Sequence, residues 1–76
     1  MTRRLKRRTL AEEYGFSLRT IDRRISEIEE LQGERYPARS VLRSSSGVRV
    51  REDVAVDYLE HRDEIIHGVA PAFMGG

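Results

Sequence analysis

The chain has 76 residues, 38% of them apolar, and no cysteine. That bounds it to one small domain with a single modest core, and it excludes disulfides, thiolate metal sites and cysteine nucleophiles. The net charge of +1 hides a segregation along the chain: residues 1–24 carry +5, 25–36 carry −3, 37–51 carry +4 and 52–76 carry −5. Two basic blocks folded to one side would make a local footprint for a polyanion. No apolar run approaches the roughly 20 residues of a membrane span, and no apolar h-region follows the basic start. A cytoplasmic protein without a membrane partner is therefore expected.

Residues 1–8, MTRRLKRR, place Arg3, Arg4, Lys6, Arg7 and Arg8 around one leucine. The segment reads as a basic arm. Such an arm is either a solvated tail or a strip that lies along phosphates or in a minor groove, with Leu5 as a partial anchor. Thr9 then fits an N-cap, with Glu12 three residues on completing a capping box. Leu10, Ala11 and Tyr14 follow at helical spacing, with Glu12 and Glu13 turned outward. A helix this short needs tertiary contacts. Gly15 is its expected left-handed stop, and Phe16 is expected to plug the core at the turn.

Ser17 fits the N-cap of a second helix running to about Leu31 or Gln32. Leu18, Ile21, Ile25 and Ile28 recur at spacings of three and four and predict one apolar stripe. At 100° per residue, Arg19, Arg23 and Ser26 lie opposite it, Thr20 and Asp22 flank it, and Arg24 falls between exposed face and core edge. Bases fill the first half of this helix, whereas Glu27, Glu29 and Glu30 fill the second. Two packed helices joined by a three-residue turn form a helix-turn-helix pattern, and the arginines are what point it towards DNA. The N-terminal half would face phosphate, with the positive end of the helix dipole in support. A solubilising face with helical ion pairs such as Arg23–Glu27 is the competing reading.

Pro37 forbids helix after Gly33 and pushes Tyr36 towards extended geometry. Ser40–Arg43 and Val48–Arg51 then read as the arms of a β-hairpin around a four-residue loop, Ser44–Gly47. Val48 and Val50 are expected inward, with Arg49 and Arg51 outward. A lone hairpin is marginal, so it must pack on the helices. Its tip, with Ser45 between Arg43 and Arg49, reads either as a solvated loop or as a wing against phosphate or minor groove. Helix returns at Glu52–Asp53, with Val54, Ala55, Tyr58, Leu59, Ile65 and Ile66 on its apolar face. Asp57, Glu60, Asp63 and Glu64 are expected outward. Arg62 interrupts the apolar face and is expected to snorkel or to pair with an acid. His61 and His67 lie six apart, a spacing that suits no shared metal site. Gly68 and Pro71 end the helix, and 68–76 reads as a flexible tail.

The order helix, turn, helix, two-stranded wing, helix resembles the small winged-helix proteins of the phage excisionase and MerR-like group. The resemblance spans about Thr9 to Leu59. It rests on AEEYGFSLRTIDRRI, on the proline after the second helix, and on VRVREDV, where a basic strand runs into a helix. It implies a mainly α fold with a small β-hairpin, a winged helix-turn-helix over 9–67. It further implies sequence-specific binding of double-stranded DNA, with the second helix in the major groove and the wing in the adjacent minor groove. On that pattern Ser17, Arg19, Thr20, Arg23 and Arg24 are contact candidates, joined by Arg43 and Arg49 in the wing. The second helix runs longer and more acidic than is usual in the group. The effector-binding and coiled-coil parts of full MerR regulators are absent, so no small-molecule effector is expected.

Members of the group act as recombination directionality factors or as small transcription regulators. The first expectation is therefore an excisionase that binds and bends DNA to bias an integrase, with neighbouring copies of itself as further partners. A repressor or activator with the same contacts is the alternative, and a protein-interaction module using the basic face is a third. No enzyme activity and no cofactor are expected. The chain has no paired-carboxylate cleft signal and no glycine-rich phosphate loop.

Overall fold

The computed structural model describes residues 3–74. Met1, Thr2, Gly75 and Gly76, the ends of the expected arm and tail, lie outside the described residues. The elements in chain order are β1 (Arg4–Lys6), α1 (Arg7–Tyr14), α2 (Leu18–Glu30), β2 (Val41–Ser44), β3 (Gly47–Arg51) and α3 (Glu52–Ile66). The strands form one antiparallel sheet in the order β1-β3-β2. The fold is thus mixed, with three helices and three strands, where the sequence predicts two strands.

The additional strand comes from the basic arm. Leu5 pairs with Val50 in register, between Arg4↔Arg51 and Lys6↔Arg49, and is itself buried. One apolar residue between cations is too short a run to announce a strand. Burial of Leu5 beside Val50 is what fixes it. Pairing holds Lys6 extended (φ −75°, ψ 152°), and α1 starts directly afterwards at Arg7 with no side-chain cap. Thr9 consequently lies inside the helix, and the expected Thr9–Glu12 capping box does not form. Sheet pairing outranks a local cap preference here, because short helices draw their stability from packing.

The turn between α1 and α2 follows the sequence closely. Gly15 takes φ 71° and ψ 25°, and its N–H closes on the Ala11 carbonyl, which also accepts from Phe16 N–H. Phe16 is half-buried and stacks on Tyr14, with centroids 6.3 Å apart. Ser17 caps α2, accepting from the Thr20 N–H. Ile21, Ile25 and Ile28 are essentially inaccessible and meet Leu5, Leu10, Val41, Val50, Val54, Ala55 and Tyr58 in one core.

After α2, the Gln32 carboxamide oxygen accepts the Val41 N–H at 3.0 Å. Buried Ser40 donates to the Pro37 carbonyl at 2.6 Å. These bonds satisfy the connector's polar groups and set the start of the hairpin. The hairpin loop is shorter than predicted. Ser44 pairs with Gly47, leaving two loop residues, Ser45 and Ser46. The Ser44 hydroxyl accepts the Ser46 N–H and donates to the Gly47 carbonyl, so the serines close the turn on themselves.

α3 begins at Glu52 and Asp53 as expected, kinks at His61 (φ −118°, ψ 19°) and ends at Ile66, with His67 as its C-cap. Arg62 pairs with Glu27 of α2 at 2.9 Å. Asp57, predicted to face outward, is instead half-buried, holding Arg35 at 3.0 Å and the Tyr36 hydroxyl at 2.7 Å. The segment after Gly68 returns to this cluster. Arg35 donates to the Pro71 carbonyl at 2.7 Å, and Phe73 meets the Tyr36 ring edge-on at 5.1 Å. Within the segment expected to be loose, Pro71 and Phe73 thus contact the body, whereas Val69 and Met74 are exposed. Among the described residues, no helix is long and apolar enough to cross a membrane.

Candidate nucleic-acid interface

α2 has four sides with different duties, and they sort the predicted contact residues. The apolar stripe enters the core. One flank meets α3: Arg24 donates to Glu27 at 3.3 Å, and Glu27 also accepts from Arg62 and from the Tyr58 hydroxyl. The opposite flank meets the hairpin: Arg43 clasps Glu29 with two bonds of 2.7 and 3.0 Å. The remaining side faces solvent and carries Arg19, Arg23 and Ser26, all exposed. Arg19 and Arg23 lie one turn apart, and neither has a carboxylate within hydrogen-bond reach among the described residues.

Two acids on the hairpin-side flank of α2 are partnered. Arg7, at the start of α1, pairs with Asp22 at 3.0 Å, and Arg43 pairs with Glu29. Both pairs border an open groove of ≈ 580 Å³ between α2 and the hairpin, lined by Arg7, Asp22, Ser26, Arg43, Ser44, Gly47 and Val48. The Arg43 hydrogen bond holds the Glu29 carboxyl below its usual range, against a smaller opposing effect of burial. Partly exposed pairs of this kind add about 0–1 kcal/mol to stability. Their larger consequence is electrostatic: Asp22 on the groove wall and Glu29 beyond it are each neutralised by an arginine.

The other candidates separate as follows. Ser17 and Thr20 bond to each other, the Ser17 hydroxyl donating to Thr20 Oγ1 at 3.1 Å, and so belong to the helix cap. Arg24 is half-buried on Glu27. The side-chain ion pair that forms in α2 is therefore Arg24–Glu27, and the competing Arg23–Glu27 pair does not form. Ser45 is exposed at the hairpin tip. Arg43 and Arg49, expected to act together, lie on opposite faces of the sheet, since alternate residues point to opposite sides. Arg43 is on the core side and reaches α2. Arg49 is on the outer side, across from Lys6.

The arm is dispersed too. Arg3 pairs with Glu52 at 2.9 Å, and Arg4 donates to the Arg39 carbonyl at 3.1 Å. Arg8 is exposed beside a shallow depression lined by Ala11, Glu12, Phe16 and Leu18. Neither family models, curated proteins nor solved structures match this chain. The candidate interface rests on its own geometry: two arginines without a carboxylate partner among the described residues, on the solvent side of a capped helix, beside a short serine-tipped hairpin and a groove whose lining carboxylate, Asp22, is paired. Helical phase alone put Arg19 and Arg23 opposite the core, where the structure has them. Sequence reasoning missed the Arg7–Asp22 and Arg43–Glu29 pairs, which join residues 15 and 14 positions apart on different elements and leave no local signature.

Proposed function

We propose that this protein binds double-stranded DNA as a winged helix-turn-helix, presenting the solvent side of α2 to the major groove. The observation that carries the reading is the pair Arg19 and Arg23. They are stacked one turn apart in the first half of α2, opposite the core, and free of the ion pairs that engage Arg7, Arg24 and Arg43. A capped helix with a basic N-terminal half suits a phosphate-lined groove, because its dipole adds positive potential at that end. The hairpin stands beside α2 across the groove and offers Ser45 and backbone amides at its tip to the neighbouring phosphates. Arg7 and Arg43 take a different part: they silence Asp22 and Glu29 and hold α1 and the hairpin against α2.

Arginine reads guanine through a bidentate contact with its major-groove edge. Arg23→Ala is accordingly expected to weaken binding to a selected duplex by about 1–3 kcal/mol and to relax the preference at one base position. A fluorescence titration against the selected site and single-base variants checks this. An unchanged affinity would remove Arg23 from the interface. We place the protein in the cytoplasm, as an excisionase that bends DNA beside an integrase, with promoter regulation as the alternative. An excision assay with integrase and a promoter reporter, run in parallel, separate the two.

A further inference from the structure

The sheet register creates a cationic surface that the proposed α2 interface does not use. β1 lies antiparallel to β3 with Arg4 opposite Arg51 and Lys6 opposite Arg49, and these four side chains share the face turned away from Leu5, Val41 and Val50. Directly opposed residues have Cβ atoms about 4.5–5.5 Å apart, and like charges so placed destabilise a sheet. The fold offsets only part of this. Arg51 is paired with Asp53 at 2.7 Å. Arg4 has the Arg39 carbonyl at 3.1 Å, and Arg39 is itself an exposed cation held at φ 66°. No described carboxylate lies within ion-pair distance of Arg4, Lys6, Arg39 or Arg49.

We infer that this outer sheet face is a second duplex-DNA site, formed by Arg4, Lys6 and Arg49, and that one copy of the protein holds two duplexes; this rests on the duplex reading above. The inner face of the sheet and the apolar stripe of α2 meet in the same core. The surface bearing Lys6 and Arg49 therefore turns away from that core on a different side from Arg19 and Arg23. The composition of the face selects the partner. Among the described strand residues on this face the apolar side chain is half-buried Leu42, with no aromatic ring beside it, so these strands lack the anchors of a protein interface and the stacking rings of a single-strand site. A row of cations alone is what sequence-independent contact with duplex phosphates requires.

The test is a bridging assay with full-length protein: one duplex fixed to beads, a second fluorescently labelled duplex in solution, and single-duplex affinity measured alongside. Wild type is expected to retain the labelled duplex. Lys6→Gln/Arg49→Gln is expected to keep single-duplex affinity within about threefold while losing at least about tenfold in retention, since each lost phosphate contact lowers binding and its salt dependence. Arg19→Ala/Arg23→Ala is expected to lose the high-affinity single-duplex site. Bridging that persists in Lys6→Gln/Arg49→Gln would point to protein dimers and overturn the inference. So would wild-type binding without retention, or stronger displacement by polyglutamate than by unlabelled duplex at equal charge. Absence of any duplex binding by wild type would overturn the α2 reading along with it. Circular dichroism of each variant confirms that the fold is intact.

Discussion

Gly15 joins α1 to α2 at φ 71°, and a Cβ built there would meet nothing within 4 Å. The constraint is purely conformational, because an L side chain in the left-handed region brings Cβ close to the following carbonyl oxygen. Gly15→Ala is expected to lower stability by about 1–2 kcal/mol, with Gly15→Asn less costly because asparagine tolerates that region better. Denaturant unfolding of the two variants checks both the size and the order. Residues of this type were legible in the sequence, since a glycine stop and a serine cap express local backbone geometry. The predicted Thr9 cap was equally local and yet overruled, because β1 commits the chain to enter α1 from the sheet. The stripe of α2 was legible for the same reason as Gly15: helical phase is a property of a few consecutive residues. Ile25, 1% exposed, is therefore expected to cost about 2–5 kcal/mol when cut to Ala. Unchanged thermal stability would contradict the packing described.

The pairing of elements was harder to read, because it depends on charges that meet only in three dimensions. Glu27 ties α2 to α3 by accepting from Arg24, Arg62 and Tyr58. The Arg62 hydrogen bond is the largest influence holding its carboxyl below the usual range, with burial opposing and the Tyr58 hydroxyl adding to the effect. Glu29 is lowered likewise, by Arg43. A carboxyl whose folded pKa is depressed gives stability that is fully present above its unfolded value. That stability is lost as pH falls through the lower folded value. The midpoint of thermal unfolding is thus expected to hold steady from neutral pH down to about 5 and to drop below about pH 4.5, near the unfolded glutamate value. Glu27→Gln is expected to lower stability at neutral pH and to flatten part of that acid decline. A variant with the same acid slope as wild type would show that Glu27 contributes nothing to it. Burial, aided by the hydrogen bond to Glu27, also pushes the Tyr58 hydroxyl up to about 12. It stays protonated across this range and keeps donating.

At the scale of the whole molecule, the blocks of charge seen along the chain are redistributed by the fold. Arg3, Arg7, Arg24, Arg35, Arg43, Arg51 and Arg62 are paired with carboxylates. Apart from Arg8 on α1, the cations left over lie on the solvent side of α2 (Arg19, Arg23) and at the outer face of the sheet (Arg4, Lys6, Arg49) with Arg39 beside it. Charge segregation along the chain does not say which cations are used up in holding the fold together. The arm illustrates the point: five basic residues that read as one strip end up in a strand edge, a helix start and three separate partnerships. The solvent side of α2 is the surface proposed to meet DNA. Its most direct test is the affinity for duplex DNA measured across about 50 to 200 mM salt, for wild type and for Arg19→Ala/Arg23→Ala. A logarithmic slope of roughly −2 to −5 is expected for wild type, reduced by about 1 in the double variant, since each neutralised phosphate contributes about −0.9 and Arg23 reads a base edge rather than a phosphate. A flat salt response, or a slope that the double variant leaves unchanged, would contradict the proposal.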